Sequence, residues 1–242
     1  SQDEEEAIPL KKSIPMLFKN KYWVILILFN LITQITNSIA ATSGTYYCKW
    51  IFGNDNLVAL AGALGFFATL VGFVVSKPII AKLGVRKTID FGVLGAAFTA
   101  LIRCIIPTNF KVYIAVSVIG SFVQIPLMCL YGVLLAMVID YNEYTYYNKM
   151  VGVSSGAIGI GTKIGSGVGS VILTACLALG AYNPDLEVAT TSMRYAIYAF
   201  SNYLPLIINL GLFVLFFQPR IKDTYMQDVM PVMWLGLWLN VF

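Results

Sequence analysis

Residues 112–139 read VYIAVSVIGSFVQIPLMCLYGVLLAMVI, and this run decides the fold class. It contains no acidic or basic residue, and as a helix it is long enough to cross a hydrocarbon core of about 30 Å. A backbone exposed to lipid must satisfy its own hydrogen bonds, and a run without polar–apolar alternation does not fit a barrel strand. The stretch therefore predicts a transmembrane α-helix.

Similar apolar runs lie on both sides of this stretch. Of the 242 residues, 58% are hydrophobic and 12% are charged, which is too little charge for the surface of a soluble domain. The sequence predicts an all-α membrane protein with six transmembrane helices, at residues 22–45, 57–80, 88–106, 112–139, 151–179 and 195–217. Residues 1–21 are predicted to be a cytoplasmic linker, and residues 218–242 a cytoplasmic or interfacial tail. The acidic opening without an initiator Met indicates a segment of a longer protein.

The basic residues are distributed unequally between the two ends of the predicted spans. One end holds Lys11, Lys12, Lys19, Lys21, Lys82, Arg86, Lys87, Lys149, Arg220 and Lys222, whereas the other holds Lys49, Lys111 and Arg194. Because short cytoplasmic segments carry the excess of Lys and Arg, this pattern places both termini in the cytoplasm. We expect a multi-pass protein of the plasma (inner) membrane.

Lys163 is the ionisable residue that lies deepest in a predicted span. It stands about 18 Å along the helix axis from the start of its run, near the membrane midplane, where a charge is costly and is usually functional. We expect its partner to be a substrate or a carboxylate from another chain. Gly156, Gly159, Gly167 and Ser170 share its face, which favours either close helix packing or a cavity wall.

Polar residues inside other spans, including Asn37 and Gln124, fit two roles equally: interhelical hydrogen bonds or the lining of a cavity. An enzyme is not expected, because the chain has no His and no Ser or Cys beside a general base. The four cysteines lack the spacing of a zinc site, and neither a cofactor nor a metal site is expected in this chain.

The segment Asp140-Tyr141-Asn142-Glu143-Tyr144, followed by Lys149, Gly152 and Lys163, resembles a motif of the glycoside-pentoside-hexuronide:cation symporters. The resemblance covers about residues 11–220. It implies the major facilitator fold, with this chain as helices 7 to 12. It further implies the carboxy-terminal half of a secondary transporter that couples a glycoside to Na⁺ or H⁺ by alternating access.

The resemblance also implies roles for individual residues. Lys163 and Gly159 would line the central cavity, while a cytoplasmic gate would comprise Asp140, Glu143, Lys149 and Arg86. The acids that bind the coupling cation lie in the other half of such transporters. The expected partners are therefore a sugar, membrane lipid and an amino-terminal six-helix half, whereas nucleic acid is not expected.

The chain departs from the family pattern where a sugar would bind. Met128 stands at the position of the sugar-contacting aromatic residue, and Ile158 and Gly159 replace a polar pair. Tyr131, about one turn from Met128, is predicted to replace the lost ring. The apolar replacements keep open a second hypothesis, a carrier for a lipid or other amphiphile. A third is a half-size subunit, a channel or assembly protein, that acts as an oligomer.

Overall fold

The computed structural model describes residues 10–146 and 151–217, and all regular secondary structure in this part of the chain is helical. The helices are α1 (Leu10–Lys19), α2 (Lys21–Trp50), α3 (Leu57–Ile105), α4 (Phe110–Tyr146), α5 (Val151–Leu179), α6 (Thr191–Tyr198) and α7 (Leu204–Phe217). A π-helical turn, Ala199–Tyr203, joins α6 to α7. The prediction of an all-α protein is therefore confirmed for these residues.

Five helices in the described ranges are long and apolar enough to cross a membrane. Four of them contain one predicted span each. The fifth, α3, contains two, residues 57–80 and 88–106, so six separate helices are not observed. Its 49 residues would extend about 74 Å if straight, more than twice the thickness of a hydrocarbon core.

Gly84 interrupts the helical geometry of α3, with φ 72° and ψ 172°. A Cβ placed on Gly72 would lie 2.9 Å from Ile125, and one placed on Gly92 would lie 2.8 Å from Leu127. A continuous helix would hold Gly72 and Gly92 about 30 Å apart, yet both lie against neighbouring residues of α4. The chain therefore turns back at Gly84, and both segments of α3 pack along α4.

We expect Gly84→Ala to lower the stability of the bundle by about 1–3 kcal/mol, because a side chain is strained at this positive φ. The readout is the apparent Tm of the detergent-solubilised protein. Gly62→Ala is the matched control, since a Cβ there would have no neighbour within 4 Å and alanine favours the helix. Equal Tm values for the two variants would contradict the reversal at Gly84.

Buried apolar clusters close the bundle at both ends. One end of the bundle, called the terminal end, is the end where α2 begins. There Tyr22, Trp23 and Leu26 pack in one cluster with Leu130 and Met137 of α4. At the distal end, where α2 finishes, a second cluster joins α2, α4, α5 and the α6–π turn. Its fully buried members include Tyr47, Met193, Ile197 and Phe200. The middle of the bundle, between these clusters, is where polar side chains gather.

A hydrogen-bond network fixes the helix ends at the distal side. The Tyr47 hydroxyl donates to the carbonyl of Pro107 (2.7 Å) and accepts from Nδ2 of Asn202 (3.0 Å). That amide also donates to the backbone carbonyl of Arg103 (3.3 Å), whose guanidinium donates to Ser117 (2.7 Å). Because Asn202 lies in the π-helical turn, the network ties that turn to α2, α3 and α4. Arg103 thus acts structurally, within a predicted span.

Candidate functional site

A cavity of about 470 Å³ opens between α2, α3, α4, α5 and α7. This volume lies in the range of small-molecule binding sites. The described side chains that line it are all uncharged. The polar members are Asn30, Thr33, Gln34, Thr36, Asn37, Thr69, Ser121, Gln124, Tyr131, Thr162 and Asn209. The cavity can therefore offer hydrogen bonds to a neutral ligand from many directions.

Helix α2 supplies a stripe of amide and hydroxyl groups. Asn30, Thr33, Gln34 and Asn37 are spaced by three and four residues, which places them on one helical face. Asn30 is buried, whereas Asn37 is exposed in the wide cavity. Polar groups on a membrane helix are tolerated where they face protein or water rather than lipid. The stripe thus marks the side of α2 that looks into the cavity.

Helix α4 supplies the opposing wall. Ser121, Gln124, Met128 and Tyr131 follow the same spacing and line the cavity together. The Tyr131 ring stacks against Phe29 of α2, with centroids 6.4 Å apart and an interplanar angle of 27°. The Tyr131 hydroxyl is buried and has no hydrogen-bond partner in the described part of the chain. An unpaired buried hydroxyl in a cavity wall is a group that a ligand could satisfy.

Four of the predicted site residues meet in this cavity: Tyr131, Met128, Gln124 and Asn37. The sequence left the role of Gln124 and Asn37 open between helix–helix bonding and cavity lining, and the geometry places both in the lining. Asn30 and Thr162 also line the cavity, and the sequence analysis missed both. The signal for Asn30 was its position three residues before Thr33 on the polar stripe.

Lys163 and Gly159 do not line the cavity, although their neighbours Thr162 and Ile158 do. Both are exposed in the structure. A Cβ placed on Gly159 or Gly167 would have no atom within 4 Å, so no other described residue packs closely on the glycines that flank Lys163. The contact found on this face lies further along the helix, where the hydroxyl of Ser170 is 3.3 Å from that of Ser38 of α2.

The opposite face of α5 packs against α2 instead. A Cβ on Gly165 would lie 2.7 Å from the carbonyl oxygen of Leu31, and one on Gly169 would lie 2.7 Å from that of Ile35. The two backbones therefore touch, and Gly161 completes the four-residue repeat of this α2–α5 seam. Lys163 is two residues from both Gly161 and Gly165, and successive helical residues are about 100° apart. Lys163 therefore points away from the seam.

The predicted gate residues lie at the terminal end. Asp140 and Glu143 are exposed near the end of α4, and Arg86 is exposed just after the reversal at Gly84. Lys149 lies outside the described residues. The gate therefore stays a prediction.

One contact beside the predicted gate was not foreseen. Asn142, fully buried, accepts a hydrogen bond of 2.7 Å from Asn20. The side chain of Asn20 also caps α2 by accepting from the backbone N–H groups of Tyr22 and Trp23. The motif segment of α4 is thus attached to the first turn of α2.

Long apolar helices around a neutral polar cavity define a multi-pass membrane protein of the transporter class. The profile of a family described as MFS/sugar transport protein matches residues 1–223, and the chain belongs to this family. The resemblance to the glycoside-pentoside-hexuronide:cation symporters is confirmed by this match and by the relatives that follow.

Three curated relatives are similar over most of this chain. The putative glycoside/cation symporter YagG of Escherichia coli (strain K12) is 18% identical over 219 residues, which are 90% of this chain and 48% of the relative. The isoprimeverose transporter of Lactiplantibacillus pentosus is 28% identical, over 74% of this chain and 37% of the relative. The uncharacterized symporter YnaJ of Bacillus subtilis (strain 168) is 24% identical, over 71% of this chain and 37% of the relative. The chain therefore spans about half the length of these relatives or less.

Proposed function

We propose that this chain is the carboxy-terminal half, helices 7 to 12, of a secondary transporter that moves a glycoside by cation-coupled symport. The observation that carries the proposal is a cavity whose described lining is uncharged and includes many amide and hydroxyl side chains, with an unpaired tyrosine hydroxyl in its wall. Alternating access by rocking of two six-helix halves is the mechanism that this fold supports. The family match and the names of two relatives, a glycoside/cation symporter and an isoprimeverose transporter, support the same class of substrate.

The reversal at Gly84 supports the six-span arrangement. Divided there, α3 becomes two helical segments that each suffice to cross a hydrocarbon core. Together with α2, α4, α5 and the continuous helix Thr191–Val214 they make six spans. An even number of spans would put both termini on one side, and the unequal distribution of Lys and Arg supports a cytoplasmic location for that side. We propose the plasma (inner) membrane as the location.

A sugar suits the cavity for chemical reasons. Each hydroxyl of a sugar both donates and accepts hydrogen bonds, as amide and hydroxyl side chains do. The apolar faces of a sugar ring fit aromatic and aliphatic walls, which the stacked pair Phe29 and Tyr131 provides. A charged substrate finds no opposite charge among the described lining residues. A neutral glycoside is therefore the substrate that this half of the site fits.

Lys163 fits a different role in this proposal. Its exposed face with small flanking residues allows another helix to approach closely, and a charge at this depth needs a polar or acidic neighbour. The family resemblance implies that the neighbours are the cation-site acids of the amino-terminal half. No cluster of three metal-binding side chains occurs within the described ranges. We therefore expect the coupling cation to bind mainly through residues of the other half.

The gate residues complete the proposal. Asp140, Glu143, Lys149 and Arg86 would form ion pairs that hold the cytoplasmic side closed in one state and break in the other. This role rests on the family resemblance and on the position of the described members at the terminal end.

A carrier for a lipid or other amphiphile is the second candidate. Its support is the apolar part of the cavity wall, where Met128 is 65% exposed and Ile158 lies nearby. An amphiphile would place its tail against this wall and its head group on the amide stripe of α2. The two candidates are distinguished by the ligand whose transport is saturable, a glycoside or a lipid.

The test is uptake into proteoliposomes that contain the intact transporter, with labelled isoprimeverose and other neutral glycosides. Saturable uptake that follows an inward Na⁺ or H⁺ gradient is the expected result. Saturable flux of a labelled lipid without sugar uptake would support the amphiphile carrier. Ion conductance that does not saturate would support the third hypothesis, a half-size subunit, and would refute the symporter.

A further inference from the structure

Asn30 connects the cavity to α5 through two hydrogen bonds. Its Nδ2 group donates to the backbone carbonyl of Ile158 (3.2 Å) and to the hydroxyl of Thr162 (3.0 Å). Both N–H bonds of the amide are thereby used. Both side-chain hydrogen bonds that Asn30 makes within the described residues run from Nδ2, so its amide oxygen accepts none of them, and the residue lines the cavity. Asn30 thus offers an acceptor to a ligand while its donors hold α5.

The α2–α5 seam makes these hydrogen bonds important for the position of α5 along α2. Where Gly165 and Gly169 touch α2, backbone meets backbone, and no α5 side chain interlocks with α2 at these two positions. Leu173 and Leu177 of α5 pack with α2 nearer the distal end, and polar pairs connect the two helices along the glycine stretch. One is Asn30 with Ile158 and Thr162, beside the cavity. The other is Ser38, which donates to the carbonyl of Ser166 (2.9 Å) and does not line the cavity.

Lys163 directly follows Thr162 and lies about 100° further around α5, turned away from the glycines of the seam. A small shift or rotation of α5 along the seam therefore moves the Lys163 ammonium group relative to any helix that faces it. The Thr162 hydroxyl, which itself donates to the carbonyl of Ile158 (3.0 Å), is the point where such a shift would start. Because the two residues are neighbours in one helix, a displacement of Thr162 also displaces Lys163.

We propose that Asn30 and Thr162 are a positioning pair that couples occupancy of the cavity to the position of Lys163. A ligand hydroxyl that donates to the Asn30 amide oxygen reorients the amide and changes its bonds to α5. The seam lets α5 adjust, and Lys163 moves with it. The inference rests on the proposed function, because it needs one ligand in the cavity and a second on the Lys163 side.

The experiment measures the coupling between the two ligands in the intact transporter. The Kd of isoprimeverose is determined with and without saturating coupling cation, Na⁺ or H⁺, and the ratio of the two values is the coupling factor. A direct loss of sugar contact alters both Kd values equally and cancels in this ratio. Thr162→Val removes the hydroxyl at nearly constant volume, and Thr162→Ser keeps it. Ser38→Ala weakens the seam away from the cavity.

We expect a coupling factor on the order of 10-fold in the unsubstituted protein and in the Thr162→Ser and Ser38→Ala variants. In Thr162→Val the coupling factor should fall below about 2. If the seam had a purely structural role, Ser38→Ala would lose coupling as well. An unchanged factor in Thr162→Val, or equal losses in Thr162→Val and Ser38→Ala, would overturn the inference alone. Absence of isoprimeverose binding in the unsubstituted protein would instead refute the proposed function, and the inference would fall with it.

Discussion

We expect Gly165→Ala to separate α2 from α5 and to abolish most of the proposed transport activity. The added Cβ would lie 2.7 Å from the carbonyl oxygen of Leu31 and 2.8 Å from the Cβ of Gln34. Neither atom is the end of a flexible side chain, so the two helices must move apart. Overpacking of this kind costs about 1–3 kcal/mol, and it would also break the hydrogen bonds of Asn30 and Ser38 across the seam.

The measurements for Gly165→Ala are the apparent Tm in detergent and the initial rate of uptake. Gly211→Ala is the matched control, because Gly211 is an exposed glycine of α7 and a Cβ there would have no neighbour within 4 Å. We expect the control to match the unsubstituted protein in both measurements. If Gly165→Ala also matched it, the close contact of the two backbones would be wrong.

The positions of the helices were largely predictable from the sequence because each span is a long apolar run. The number of separate helices was not. Residues 82–87 contain three charged positions, Lys82, Arg86 and Lys87, and lie between two predicted spans, yet in the structure only Gly84 departs from helical backbone there. A single glycine in a left-handed conformation is enough to reverse the chain, and no hydropathy pattern records so short a turn.

The face by which α5 packs could not be predicted, for a physical reason. Glycines occur around most of its circumference, so two candidate stripes exist, one through Gly159 and Gly167 and one through Gly161 and Gly165. Periodicity shows that each stripe shares a face, but not which face has a partner. Tertiary contacts decide this, and the structure assigns the contact with α2 to the stripe without the lysine.

The cavity was partly predictable. Gln124 and Asn37 were identified because polar groups are rare inside membrane spans. Tyr131 was identified because it lies about one turn from Met128, where the family resemblance places an aromatic residue. Asn30 and Thr162 were not predicted, because an Asn or Thr inside a span can serve a helix–helix hydrogen bond or a cavity, and tertiary packing decides which. Arg103 was missed although an arginine inside a span is as rare as Lys163. Its bond to Ser117 explains how that charge is accommodated.

Tyr131 should contribute more to sugar binding than any other described residue of the cavity. Tyr131→Phe removes only the unpaired hydroxyl and should raise the Kd for the sugar about 2–10-fold. This change corresponds to the net free energy of one hydrogen bond. Tyr131→Ala also removes the ring that stacks on Phe29 and should raise the Kd about 50-fold. Isothermal titration with isoprimeverose measures both values, and the apparent Tm of each variant shows whether it remains folded.

Met128→Ala is the control on the same helical face, one turn from Tyr131. For a sugar, loss of this apolar side chain should change the Kd by less than about 5-fold, since it offers few groups to a hydroxylated ligand. For an amphiphile the order of the two effects on the Kd reverses. The apolar wall would then make most of the contact with the ligand, and the hydroxyl of Tyr131 would make little. A larger effect at Met128 than in Tyr131→Ala would therefore replace the glycoside with the amphiphile as the substrate of this cavity. Unchanged sugar affinity in folded Tyr131→Ala would show that Tyr131 has not taken the place of the missing aromatic ring.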